Sequence, residues 1–156
     1  MDSSLLILYA STSGNTEYVV SILADLLRDN LVNTTVNIIR CEEASVKDLG
    51  KADRIILASG TWDIGGAEGQ LNPHLDSFLK KDCKNVDLKQ KPVAIVSLGD
   101  TRYYFTSRAS EHLRKFIMSH NGTVLGQPLT IINEPQGQEE RINKWGEKLI
   151  KLISES

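Results

Sequence analysis

Short runs of uninterrupted apolar residues alternate along the chain with longer stretches whose apolar positions recur at helical spacing. Leu5-Leu6-Ile7-Leu8-Tyr9 is the first run, and it predicts a strand buried on both faces, as in a parallel sheet. Arg54-Ile55-Ile56-Leu57-Ala58 and Pro92-Val93-Ala94-Ile95-Val96-Ser97-Leu98 repeat the pattern, the latter with proline at its start, where a missing donor does least harm. Thr34 to Ile39 alternates instead, as a strand at or near an edge does. Thr123-Val124-Leu125 and Leu129-Thr130-Ile131-Ile132 predict a final strand interrupted near Pro128. Helical spacing links Val19, Val20, Ile22, Leu23, Leu26 and Leu27 after the first strand. It recurs at Leu75, Phe78 and Leu79, reaching roughly Asp82, and at Ala109, Leu113, Phe116 and Ile117. From about Gln136, Ile142, Trp145, Leu149 and Ile150 form the apolar stripe of a last helix, while Glu139-Glu140-Arg141 through Lys151 reads as its solvated face. Glu42 to Leu49 predicts a single short helical piece, and Ser59 to about Leu71 a long glycine-rich loop.

Strands alternating with helices predict an α/β fold built on a doubly wound parallel sheet, in one domain covering residues 1–156. Right-handed crossovers then bring the loops after the first, third and fourth strands to the carboxyl edge of the sheet, where open α/β sheets bind ligands. The length suffices for a sizeable core.

Charge changes the picture only by exclusion. Eighteen Lys and Arg against 20 Asp and Glu give a net charge of −2, and no basic stripe stands out, which argues against nucleic acid as a partner. No apolar run approaches the length of a membrane span, and Met1-Asp2-Ser3-Ser4 lacks a basic leader, so a cytoplasmic, monomeric protein is expected. Cys41 and Cys83 have no metal-type spacing and are expected as free thiols in a reducing compartment. His74, His112 and His120 are isolated and are expected as surface or helix residues.

The candidate chemistry sits in the loops. Ala10-Ser11-Thr12-Ser13-Gly14-Asn15-Thr16 joins the first strand to the first helix with small hydroxyl, amide and glycine residues. Amides at a helix N-terminus lack intrahelical partners, and the macrodipole favours negative charge there. The loop contains no lysine or arginine, so it is not a nucleotide P-loop, and its single glycine does not make a G-x-G-x-x-G fingerprint. A phosphate held here by neutral donors suits one end of a cofactor; an N-capped turn with no ligand would use the same residue types.

Ser11-Thr12-Ser13-Gly14-Asn15-Thr16 resembles the phosphate loop of the flavodoxins, and two further loops extend that resemblance. In Ser59-Gly60-Thr61-Trp62-Asp63-Ile64-Gly65, Thr61-Trp62 is similar to the pair that flanks the flavin, and Glu68-Gly69-Gln70-Leu71 is a looser echo of a following acidic element. Read without the family, Trp62 either covers a flat ligand, packs back on the domain or forms a partner patch. In Gly99-Asp100-Thr101-Arg102-Tyr103-Tyr104-Phe105, Tyr103 stands at the spacing of the flavodoxin tyrosine that stacks on the outer flavin face, with Tyr104 as the alternative. Asp63 departs from the usual glycine or asparagine, and Arg102 places a cation beside the expected stacking tyrosine.

The resemblance covers nearly the whole chain and lacks the insertion of the long-chain subgroup. It implies a flavodoxin-like three-layer sandwich with a five-stranded parallel sheet in the order 2-1-3-4-5. It also implies an electron-transfer protein rather than an enzyme, carrying single electrons at low potential on non-covalently bound FMN. By resemblance, the cofactor contacts are Ser11 to Thr16, Ser59 to Gly65, Ser97, Leu98, Gly99, Asp100, Tyr103, Tyr104 and Phe105. The implied partners are a flavodoxin or ferredoxin-type reductase and redox acceptor proteins, met in transient complexes. An FMN-dependent NAD(P)H or quinone reductase, or a dedicated flavin partner of one enzyme, is the alternative. A receiver-type signalling domain shares the topology but needs paired acidic residues where this chain has Tyr9-Ala10-Ser11.

Overall fold

The computed structural model describes residues 2–64, 67–100 and 108–155, and only the backbone at 63, 64, 67 and 68. Its elements run β1 (Ser3–Tyr9), α1 (Asn15–Asn30), β2 (Thr34–Arg40), α2 (Val46–Lys51), β3 (Arg54–Ile64) and β4 (Ala67–Leu71). They continue as α3 (Pro73–Ser77), β5 (Pro92–Gly99), α4 (Ala109–Ser119), β6 (Thr123–Val124), β7 (Leu129–Ile132) and α5 (Glu139–Ser154).

The continuous apolar run of β1 is divided between two cores by the two-residue period of a strand. Leu5, Ile7 and Tyr9 face α1 and α5, meeting Val19, Leu23, Leu27, Ile142 and Leu149. Leu6 and Leu8 face the opposite layer, with Leu49, Leu75, Phe78, Leu113 and Ile117. β3 and β5 divide in the same way: Ile56 and Val96 lie in the first core, Ile55, Leu57 and Ile95 in the second. The result is the three-layer sandwich expected from the sequence.

α1 and α5 pack closely at Gly146, where an added Cβ would lie 2.5 Å from Leu26 Cδ2. Above that contact, the Tyr18 hydroxyl on α1 donates to Glu139 Oε2 at the start of α5.

β1 pairs in parallel with β2 and β3, and β3 with β5. The sheet order is β2-β1-β3-β5-β6, with β7 also on β5. The expected order 2-1-3-4-5 holds once β5 is counted as the fourth strand and β6 and β7 as the two parts of the fifth. The break falls at Gly126, whose φ of +68° suits a residue without Cβ, and at Pro128, which has no N–H to give to a ladder.

Two details correct the sequence reading. The loop expected from Ser59 to Leu71 contains a hairpin: β3 continues to Ile64, and β4 returns antiparallel to it, pairing Thr61 with Leu71 and Trp62 with Gln70. Glycine and polar residues mask strand propensity, although their backbone groups pair as well as any others. The single helical piece expected at Glu42 to Leu49 is a 3₁₀ turn at Cys41–Glu43 followed by α2. Ser45 separates them because its N–H donates to Asp48 Oδ2 at 2.8 Å, a capping box that starts a new helix.

Both cysteines are free thiols buried in the core layer of α2, α3 and α4. Burial pushes each up to about 12, with a further push from Glu42 on Cys41 and from Asp82 on Cys83. Thiolate is the reactive form. Iodoacetamide at pH 8, followed by mass spectrometry, is therefore expected to leave the native thiols largely unlabelled and to label both on unfolding. Rapid labelling of the native protein would contradict this burial. The folded state holds thiol protons that the unfolded state releases above its own lower pKa, so these groups make stability fall as pH rises from about 9 towards 12.

Candidate functional site

The carboxyl ends of β1, β3, β5 and β7 open into a cleft of about 770 Å³. Ala10, Ser11, Thr12, Ser13, Asn15 and Thr16 form one side, and Gly60, Thr61 and Trp62 another. Leu98, Gly99 and Asp100 close the third. The parallel strands thus bring three loops, far apart in sequence, to one edge, as the sheet order requires.

The loop from Ser11 to Thr16 is shaped by its own side chains. Gly14 takes φ +93° at the start of α1, a conformation that suits glycine, and a Cβ added there would meet nothing within 4 Å. Ser11 Oγ accepts from Gly14 N at 3.1 Å and from Glu17 N at 3.3 Å. The Ser11 hydroxyl therefore occupies two helix-start amides, and the loop curls tightly around the N-terminus of α1.

Arg40, at the end of β2, braces this loop from behind. Its Nη1 donates to the Ser11 carbonyl at 3.4 Å, its Nη2 lies 3.4 Å from Glu17 Oε2, and its guanidinium stacks over the Tyr9 ring at 5.5 Å. The Tyr9 hydroxyl in turn donates to Glu17 Oε1 at 3.2 Å. Burial, then the neighbouring Glu17 carboxylate, raises the Tyr9 phenol above its usual pKa and keeps it a donor.

Among the described residues, four polar ones are almost fully buried: Thr16, Ser59, Asn72 and Ser97. All lie in or next to the loops of the cleft. Ser59 and Ser97 are register partners on β3 and β5, beneath the cleft rather than on its wall. Ser59 Oγ donates to the Gly60 carbonyl at 2.8 Å and accepts from Asn72 N at 3.0 Å.

Asn72 is the junction of the site. Its Nδ2 donates to Thr12 Oγ1 at 3.1 Å, and its Oδ1 accepts from His74 N at 2.9 Å, capping α3. One side chain ties the Ser11–Thr16 loop to the end of the β3–β4 hairpin.

Trp62 is half-buried on the cleft wall, its indole laid against Gly60: a Cβ on Gly60 would lie 3.4 Å from Trp62 Nε1. Thr61 also lines the cleft, while its Oγ1 accepts from Ala109 N at 3.3 Å. Asp63 and Ile64 continue β3. Gly65, Arg102, Tyr103, Tyr104 and Phe105 lie outside the described residues.

The structure adds Asn72, Asn133 and Glu134 to the residues expected from the sequence. Asn72 precedes Pro73 at the first position of α3, an N-cap signature legible in the sequence. Asn133 and Glu134 follow β7, whose carboxyl end points to the same edge. Asn133 takes φ +66°, and its N–H donates to the Gly99 carbonyl at 2.8 Å.

The donor set fits the phosphate end of a flavin. Hydroxyl and amide residues of the Ser11–Thr16 loop line the cleft on one side, Trp62 and Leu98 add apolar residues to its lining, and the volume suits a ligand of cofactor size. No lysine or arginine lines the cleft among the described residues, whereas Asp100 and Glu134 do.

The flavodoxin family model matches residues 7–145. The chain is 31% identical over 154 residues to a flavodoxin of Maridesulfovibrio salexigens, covering 97% of this chain and 99% of the relative. It is 30% identical over 141 residues to a probable flavodoxin 2 of Bacillus subtilis, covering 88% and 87%. Among solved structures, oxidised flavodoxin 2 of Bacillus cereus superposes with a TM-score of 0.83 at 26% identity, covering 96% of this chain and 99% of that one. Oxidised flavodoxin 1 of the same organism gives 0.84 at 24% identity, over 96% and 98%, a likeness of fold.

Proposed function

The chain belongs to the flavodoxin family, whose members are flavin-dependent electron-transfer proteins rather than enzymes, and on that premise we propose that it carries single electrons at low potential on non-covalently bound FMN. The observation that carries this reading is the pairing, in one cleft, of a cation-free hydroxyl and amide loop with an apolar wall at Trp62 and Leu98. Sheet order 2-1-3-4-5 with FMN at the switch point is a known arrangement of this fold.

In this reading Ser11, Thr12, Ser13, Asn15 and Thr16 hold the phosphate, and Gly14 lets the backbone turn around it. Trp62 covers one face of the ring, and the Gly60, Leu98 and Gly99 backbone borders its edge. Bound FMN supplies the redox chemistry; the protein binds it, orients it and excludes water. Bound FMN would lie in a cleft whose described lining includes the acidic residues Asp100 and Glu134. Transient partners, a reductase and acceptor proteins, complete the proposal, as does action of residues 1–156 as one unit in the cytoplasm. Among the described residues no helix is long and apolar enough to cross a membrane.

Stripping the purified protein of any flavin and titrating it with FMN, with flavin fluorescence as the readout, tests the reading. Saturable quenching at one FMN per chain is expected, followed by reduction in separable one-electron steps under stepwise dithionite. A protein that neither carries flavin nor quenches added FMN would sink the proposal.

A further inference from the structure

The hairpin that carries Trp62 is gripped by α4 at two points. At the start of the helix, Ala109 N donates to Thr61 Oγ1 at 3.3 Å. One turn further on, His112 Nε2 lies 2.7 Å from the Gly69 carbonyl oxygen. Thr61 immediately precedes Trp62, and Gly69 adjoins Gln70, the residue paired with Trp62 across the hairpin. The two contacts therefore fall on either side of the Trp62–Gln70 pair in the hairpin.

The second contact needs a proton on Nε2, because a carbonyl oxygen only accepts. Gly69 takes φ +81° in β4, a conformation that suits glycine. β4 lies off the path of the parallel sheet and pairs with β3, so its height above the cleft depends on α3 and α4, which pack against it. A two-stranded ribbon holds its own position poorly. His112 is half-buried at that seam, where a directional bond fixes the ribbon better than apolar contact does.

We propose that His112 is a positioning residue for the cofactor: its Nε2–H holds the Gly69 carbonyl, and through β4 this sets how closely Trp62 lies on the ring. The proposal rests on the reading of the cleft as an FMN site. Loosening the bond lets the indole lift, admits water to the ring and favours the more highly charged reduced cofactor.

The test compares His112→Ala, His112→Asn and His112→Gln with the parent protein by FMN dissociation constant, midpoint potential and apo-protein thermal unfolding. Glutamine reaches far enough to donate to the same carbonyl, whereas asparagine is one carbon too short. His112→Ala and His112→Asn are expected to bind FMN roughly three- to tenfold more weakly, the value of one lost hydrogen bond, and to show a raised potential. His112→Gln is expected to restore the affinity to within about twofold and to return the potential to that of the parent. If the alanine variant does not fold, the asparagine and glutamine pair carries the comparison. Unchanged affinity and potential in the alanine or asparagine variant would overturn the proposal, as would equal impairment in the glutamine variant. Failure of the parent protein to bind FMN would instead overturn the functional reading beneath it.

Discussion

Asn72→Leu is expected to destabilise the flavin-free protein by about 2–3 kcal/mol and to weaken FMN binding by roughly tenfold or more. The residue is 1% exposed and leucine has the same number of side-chain heavy atoms, so no cavity contributes. What is lost is the cap on α3, where Oδ1 accepts from His74 N, and the bond from Nδ2 to Thr12 Oγ1. The Asn72 N–H to Ser59 Oγ bond belongs to the backbone and survives the change. Asn72→Asp separates the two roles: a carboxylate still caps His74 N but cannot donate to Thr12, and it adds negative charge beside the phosphate loop. Its stability loss is expected to be smaller than that of leucine, and its FMN affinity at least as poor. Chemical denaturation and fluorimetric titration read the two quantities separately. A leucine variant within about 0.5 kcal/mol of the parent in stability would mean that the hydrogen bonds at Asn72 carry no net weight.

Trp62→Ala has the opposite signature: a large binding defect in a protein that folds normally. Stacking a flat heterocycle on an aromatic side chain is worth about 1–3 kcal/mol by alanine substitution, which corresponds to roughly five- to hundredfold in affinity. Trp62 is only half-buried and leans on Gly60, which has no side chain to lose contact with, so flavin-free stability is expected to fall by less than about 1 kcal/mol. Trp62→Phe, which keeps a smaller ring on the same wall, is expected to recover part of the affinity. An alanine variant that binds FMN as tightly as the parent would show that Trp62 packs on the domain or faces a protein partner, the other two readings of its sequence context.

Much of this was written in the chain itself. The run from Leu5 to Tyr9 fixed a strand covered on both faces, and its alternate residues feed the two cores because a strand's side chains alternate. The small residues from Ser11 to Thr16 marked a tight strand-to-helix loop at the cleft, since local turn chemistry and a helix start are legible over a few residues. The position of Trp62 at a strand's carboxyl end followed from the alternation of elements. Each of these signals is local, or periodic over a single element.

Tertiary structure decided the rest, because the remaining features depend on pairs distant in sequence. Asn72 bonds to Thr12 across 60 positions, His112 meets Gly69 across 43, and Arg40 reaches Ser11 across 29. Nothing in the neighbourhood of His112 distinguishes it from His74 or His120; only the return of β4 beside α4 gives its Nε2 a carbonyl. The β3–β4 hairpin itself was hidden because glycine-rich strands are held by backbone pairing and by the helix packed on them, which leave no apolar period to read. The sequence determined the core strands and the long helices, and the edge at which their loops meet, since burial patterns and turn chemistry act locally. Which side chains brace that site was settled only when folding brought their partners within hydrogen-bond reach.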